Sequence, residues 1–448
     1  MSDVRQFGAK GDGITDDTAA LRHAVESGDG VLFFPAGRYV ISGTVKVPVP
    51  SRGPCAISGE EGASTVVMSG QGPAFQLIGT HAGTGDPGSV QPGVWQDERM
   101  PTVQNIVLDG KHPGADGLQL VETMQARIEG VMVRRMRHGI HLIKRNRNVI
   151  ISNCHLYHNT GSGLYLDRVN LHQINVSSSH ISYNRLGGIR IERSEVRNLQ
   201  ITGNDIEYNN AKSHGELPSE PTAEIWIDAT EPKASVNEIT IASNTIQATN
   251  SRGGANIRIL EKADTSRPPG LVAISGNVIG SQENNVHLSG VYGVTISGNT
   301  IYSCARRNLL VEDSRLVTIG SNHFRRHTSS TGTGVRLTGS SDCTISGCTF
   351  RDESKEGQAS GASLLELEGC RRVAVSGCVF ADGVPYGVDA ENCSDVRITG
   401  CIISGESKAR GALRFHGNGK RNGVASNNLL GSIEISPQAG VSLHENIN

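Results

Sequence analysis

Three carboxylates and one tryptophan recur at matched positions in four short segments between Gly163 and Lys262. The segments are Gly163-Leu-Tyr-Leu-Asp167, Gly188-Ile-Arg-Ile-Glu192, Glu224-Ile-Trp-Ile-Asp228 and Asn256-Ile-Arg-Ile-Leu260. Each alternates apolar with polar or aromatic residues, the period-2 pattern of a strand with one buried face. Stacked in register, the outward residues form two columns. One reads Tyr165, Arg190, Trp226, Arg258, and the other Asp167, Glu192, Asp228. Parallel strands lie about 4.8 Å apart, so the three carboxylates would stand in file. Like charges this close repel, and a metal, an arginine or a function must offset the cost. A solvated face with Arg190 and Arg258 as counter-ions is the plain structural alternative. The chemical one is acid/base work on a sugar. Neighbours about 5 Å apart suit a retaining glycosidase pair, and Asp167 and Asp228, roughly 10 Å apart, come closer to an inverting pair.

Trp226 is one of only two tryptophans, and an indole face can stack on the apolar face of a pyranose. Burial under the preceding loop is its bland alternative. His141, one coil earlier in the Tyr165 column, and Tyr165 itself are candidate proton-transfer groups. Arg190 and Arg258 could take substrate carboxylates or sulfates. The predicted catalytic set is thus Asp167, Glu192 and Asp228, with Trp226, Arg190, Arg258, Tyr165 and His141 binding substrate and no metal ligands.

The elements that would carry these residues form a repeat. From Val103 onward a strand–turn unit returns about every 22–35 residues, roughly a dozen times, as in Val294-Thr-Ile-Ser-Gly-Asn299 and Val272-Ala-Ile-Ser-Gly-Asn277. A unit that cannot bury its own face must stack on its neighbours, which makes a solenoid. Three short strands per coil and no helical periodicity make it a β-solenoid. The turn position is occupied by Cys154, Ser179, Asn204, Asn244, Asn277, Asn299, Asn322, Cys348, Cys378, Cys401 and Asn427. Asparagines there are expected to bond along a ladder, and the cysteines to be small buried residues.

Composition agrees. Glycine is abundant at 55 residues and aromatics are scarce at 4%, which suits many turns better than a helical core. A net charge of −2 points away from nucleic acid, and no apolar run is long enough to span a membrane. Nine cysteines without a Cys-x-x-Cys pair argue against a disulfide framework. The chain enters a structured motif at once, so either the protein is cytoplasmic or a leader has been removed.

That motif is Val4-Arg-Gln-Phe-Gly-Ala-Lys-Gly-Asp-Gly-Ile-Thr-Asp-Asp-Thr18, followed by Val31-Leu-Phe-Phe-Pro-Ala-Gly-Arg-Tyr39. Thr15 ahead of Asp16 and Asp17 predicts a helix start, with an amphipathic helix running to Ser27. The stretch resembles the N-terminal motif of the pectate-lyase-like superfamily, shared by polygalacturonases, alginate epimerases and phage tailspikes. The resemblance covers about a tenth of the chain. It implies a right-handed parallel β-helix whose open end is plugged by the helix, with residues 1–44 as the cap and 45–448 as one continuous solenoid. The polygalacturonase signatures and the Asp-Pro-His-Glu of alginate epimerases are missing. Ile225-Trp-Ile-Asp228 is similar to the Trp-Ile-Asp-His element of pectate lyases, but Ala229 replaces the histidine.

Within that superfamily the expectation is a glycoside hydrolase acting on a polysaccharide or oligosaccharide, with Asp228 as acid and Asp167 or Glu192 as base and no cofactor. The runner-up is a uronic-acid lyase or epimerase, in which Ca²⁺ on the carboxylates or an arginine neutralises the substrate and Tyr165, His141 or Arg258 abstracts the proton. A non-catalytic glycan-binding spike is the third. Insertions at Asn209–Ala223 and Glu261–Pro269 are expected to wall a groove, and the uncapped C-terminal coils to be covered in a homo-oligomer.

Overall fold

A computed structural model describes residues 1–447 except 54, 84–85, 263–269, 328–330, 354–360 and 405–410. The chain is a right-handed parallel β-helix and divides into two compact units, residues 1–219 with 223–238 and residues 220–222 with 239–448. In each, three parallel ladders run along the coils. The first ladder carries the recurring segments: Ser162–Ser177, Gly187–Glu192 and Ala223–Ala229 in one unit, and Ala255–Glu261, Asn284–Ser289 and Arg307–Glu312 among others in the second. The second ladder follows after a tight turn, as in Glu195–Thr202 and Val272–Ser275. The third holds strands such as Asp205–Glu207 and Thr300–Tyr302.

The alternation read from sequence sets the faces. Leu164, Leu166, Ile189, Ile191, Ile225, Ile227, Ile257 and Ile259 are all buried. The pairs Tyr165–Arg190, Arg190–Trp226, Asp167–Glu192 and Glu192–Asp228 are in register. In the second unit Arg258 pairs with His287, and the same column continues through Leu310, Arg336 and Glu366 to Asp389 and Arg414.

The turn column is a hydrogen-bonded ladder. The Asn244 amide N–H donates to Asn277 Oδ1 at 3.0 Å, that of Asn277 to Asn299 at 2.9 Å, and that of Asn299 to Asn322 at 3.0 Å. Cys348, Cys378 and Cys401 continue the same column as buried free thiols. A second file, Asn159–Asn184–Asn209, ends on the buried carboxyl of Glu224, which accepts from the Asn209 N–H at 2.9 Å. Burial pushes that carboxyl well above its usual range.

The N-terminal helix, α1, spans Thr18–Ser27 with Asp17 at the cap position, two residues later than Thr15 predicts. Thr15 lies in the strand Asp12–Asp16 and bonds Asp12. The helix start is satisfied by the Asp16 carboxylate, which accepts from the Thr18 N–H at 2.9 Å, while Asp17 turns back onto the Lys10 and Gly11 amides. Two aspartates compete with a threonine for the cap, and the carboxylates win. Buried Leu21, Ala24 and Val25 face the interior. Between residues 81 and 101 a short helix, α2, spans Pro92–Asp97. Val94 of α2 packs with Val90 and Met124.

Candidate active site

The first ladder of the N-terminal unit brings a phenol, two imidazoles, two carboxylates and several guanidinium groups together. Tyr165 is the hinge. Its hydroxyl donates to Glu192 Oε2 at 3.0 Å and accepts from Arg193 Nη2 at 2.7 Å. Arg193 also donates through Nε to Asp167 Oδ1 at 2.8 Å. Arg190 donates to the other Glu192 oxygen at 2.8 Å and lies over the Trp226 ring, 5.1 Å from its centroid. Arg168 reaches Asp167 at 3.2 Å.

Arg168, within the long strand Ser162–Ser177, and Arg193, one residue past Gly187–Glu192, both hold the left-handed region, at φ 49° and 52°. A side chain with a Cβ pays about 1–2 kcal/mol there. The conformation turns the coil and lays each guanidinium against its neighbouring carboxylates. The repulsion expected of the Asp167–Glu192 pair is thereby met by arginines, two of which sequence reasoning missed. Asp228 stands outside this web: its Oδ1 accepts from the N–H and hydroxyl of Thr230, at 2.9 and 2.6 Å.

On the other side of Tyr165 the rings of His138 and His141 stack on the phenol, with centroids at 4.6 and 5.2 Å and interplanar angles of 23° and 20°. Gln76 donates to Gln119 Oε1, whose own amide faces His141 Nδ1 at 3.3 Å. That chain leaves the imidazole proton on Nε2, which is buried and reaches no described acceptor. The buried Asp116 carboxylate accepts from Arg137 Nε at 2.9 Å and from the His138 N–H at 3.1 Å, fixing the turn that presents His138.

Burial sets the protonation states. It lowers His138 to about 4 and moves His141 the same way, so both rings are neutral near pH 7. Burial, with the charges of Glu192 and Asp167, raises Tyr165 above the ordinary phenol range. The site holds a proton on the phenol and none beyond the first on either imidazole.

Of the predicted residues, Asp167, Glu192, Trp226, Arg190, Tyr165 and His141 therefore share one contact network. Arg258 lies in the other unit. It is buried, donates to His287 Nδ1 at 3.2 Å and to the Gly253 carbonyl, and burial lowers it to about 10. The loop expected to wall a groove carries a 3-10 turn over Ala211–His214; His214 bonds the Tyr183 carbonyl at 2.8 Å and Glu216 pairs with Arg185. Residues 263–269 of the second insertion lie outside the described residues. His138, Arg193, Arg137 and Asp116 were missed because they occupy turns or the inner end of a strand, outside the outward alternation. The histidine spacing of His138-Gly-Ile-His141 was the available signal.

Ca²⁺ does not suit Asp167 and Glu192, since guanidinium groups occupy the lone pairs a cation would take. Among the described residues no three His, Cys, Asp or Glu side chains converge as a metal site.

Two family models match the chain. "Rhamnogalacturonase A/epimerase, pectate lyase-like" covers residues 1–216, and "Right handed beta helix region" covers 224–357 and 284–446. Curated relatives match over short stretches only. A non-secreted LysM effector of Penicillium expansum is 47% identical over 53 residues, 11% of this chain and 4% of its own. Mannuronan C5-epimerase AlgE5 of Azotobacter vinelandii is 48% identical over 44 residues, 9% of this chain and 4% of its own. The matches thus span about one twenty-fifth of those relatives' length. Among solved structures, the pre-mature gene product 12 of bacteriophage phi29 aligns with TM-score 0.54 at 16% identity, over 95% of this chain and 63% of that one. The Dettilon tailspike protein aligns at 0.51 and 13%, over 97% and 68%. These likenesses share the fold.

Proposed function

Since the chain is a pectate-lyase-like right-handed β-helix, we propose that it is a carbohydrate-active enzyme working by proton abstraction on an acidic polysaccharide, as a uronate lyase or epimerase. The observation that carries this reading is the Tyr165 hydroxyl held between Arg193 and Glu192. A proton α to a uronate carboxylate is removed by a base poised against a cation that steadies the developing charge. The phenolic oxygen takes the C5 proton as its own proton passes along the 3.0 Å bond to Glu192. Arg193 stabilises the phenolate character on that oxygen, and the His141 Nε2–H is available to a substrate oxygen. A proton returned to C5 from water on the opposite face gives the epimer; departure of the C4 oxygen as the C4–C5 double bond forms, with water protonating it to a hydroxyl, gives the unsaturated product. The curated epimerase relative supports the reaction class over a short stretch.

Hydrolysis is supported less well. It needs a carboxylic acid to protonate the leaving oxygen, and Asp167 and Glu192 are already ion-paired. Asp228, which meets Thr230 and no arginine among the described residues, is the one carboxylate of the three that keeps this reading in view.

The test incubates the protein with polymannuronate, polygalacturonate and a neutral glucan, with and without chelator. Three readouts run in parallel: ultraviolet absorbance of unsaturated ends, exchange of the C5 hydrogen with deuterated water, and reducing ends. Exchange or absorbance on a uronate, insensitive to chelator, is the expected result. Reducing ends alone would replace this reading with hydrolysis, and silence in all three with binding.

A further inference from the structure

A second feature of the N-terminal unit lies on the second ladder, around the bend from Tyr165. A cavity of about 360 Å³ is lined by Asn148, Ile150, Gln173, Asn175, Asn198 and Gln200, together with Val149. Its volume falls within the range of small-molecule sites. The lining contains no charged side chain, in contrast to the arginine-rich cluster on the first ladder. It is built by the coil repeat. Ile150, Asn175 and Gln200 pair in register on successive coils. Asn148, Gln173 and Asn198 hold the left-handed turn just before them, at φ 54°, 64° and 55°. Five amides are thus presented in two parallel files about 4.8 Å apart along the axis.

Among the described residues these amides have no part in holding the fold. Asn148 Oδ1 is buried and no described donor reaches it. Among the described residues the side chains of Gln173, Asn175, Asn198 and Gln200 enter none of the hydrogen bonds that hold the ladder. Asparagines in the other turns of the coil use their amides internally, as Asn184 and Asn277 do. A buried acceptor left open costs about 1–3 kcal/mol, a cost a bound donor would offset. Each primary amide offers a donor and an acceptor side by side, the complement of adjacent hydroxyls on a sugar ring. Ile150, 44% exposed, supplies an apolar surface for a ring face.

We infer that this cavity binds a neutral saccharide segment through paired amide–hydroxyl contacts. It is a glycan-binding site separate from the charged cluster at Tyr165. The occupant is uncharged because nothing in the lining would pair a carboxylate or sulfate, and a polyhydroxylated one because each of the five amides can both give and take a hydrogen bond. The site is independent of the reaction proposed at Tyr165.

Affinity electrophoresis of the full chain tests it, in gels containing dextran, galactan, glucomannan or polygalacturonate. Retardation by at least one neutral polysaccharide is expected, and Asn175→Ala with Gln200→Ala should weaken it about tenfold, the worth of one to two lost hydrogen bonds. Both positions are exposed, so the double variant should keep the wild-type melting curve. Asn175→Asp, which sets a charge in the cavity, should weaken neutral binding as well. Tyr165→Phe should leave retardation unchanged while lowering turnover on a uronate by about 10²–10⁴. Mobility unaffected by every neutral polysaccharide, or retardation equal in wild type and the double variant, would overturn the inference. Retardation by polygalacturonate alone would overturn it too.

Discussion

Tyr165 concentrates the chemistry of the proposed site in one oxygen. Replacing it with Phe removes the hydroxyl but keeps the ring stacked on His138 and His141. Turnover on a uronate polymer should fall by about 10²–10⁴, the usual worth of positioned proton transfer, with little change in the melting temperature. The carboxylates divide differently from their sequence positions. Asp167→Asn strands Arg193 and Arg168, whose bonds it accepts, so stability should drop by about 1–2 kcal/mol in urea titration. Sequence reasoning alone predicts the reverse, relief of like-charge repulsion, because it could not see guanidinium groups folding back from the turns. Asp228→Asn leaves the web intact and should keep most activity; a collapse of turnover there would restore hydrolysis as the reaction. The outward columns were legible because strand side chains alternate with an invariant period. Arg193 and His138 were not, because a residue in a turn, left-handed at Arg193, aims its side chain by backbone geometry that no periodicity records.

At the scale of the element, the asparagine file was readable from spacing, since one position repeats with one small amide and only a stacked turn rewards that. The interior of the file explains its persistence. Asn277 accepts from the N–H and side chain of Asn244 and donates to the Ile241 carbonyl and to Asn299. Asn277→Ala removes those partners at a buried turn and leaves the Asn244 N–H without an acceptor. A loss of about 2–4 kcal/mol is expected from denaturant midpoints at constant slope. An effect below about 0.5 kcal/mol would mean that the turns are held by the strands alone. The start of α1 was misplaced by two residues for a related reason. Thr15, Asp16 and Asp17 are all competent caps, and the choice among them was made by Ser42 and the Lys10–Gly11 amides, tertiary partners far along or folded back in the chain.

For the whole molecule, the fold was legible early because a solenoid writes the same short-range rule into every coil. Its response to pH was not legible, because burial is a property of the stacked coils. His138 and His81, both lowered to about 4, are neutral when folded and gain protons when unfolded below their ordinary 6.5. They contribute stability above pH 6.5 that is lost as pH falls toward 4. Glu261 works in the opposite direction. It is 6% exposed, neither carboxyl oxygen meets a described donor, and burial alone raises it to about 8. In the unfolded chain it ionises near 4.5, whereas the folded protein keeps the proton until pH 8. Folding then takes up a proton across that window, so the Glu261 contribution is full below pH 4.5 and lost as pH rises to 8. Glu261→Gln keeps the shape and removes the proton, and the variant should lose less stability than wild type between pH 6 and 8.5. At pH 8.5 its melting temperature should lie above that of wild type, while near pH 5 the two should converge. Parallel melting curves across the whole range would mean that the Glu261 carboxylate is solvated, and the alkaline limb would then have to come from Glu207, raised to about 7 by burial and by its neighbour Asp205.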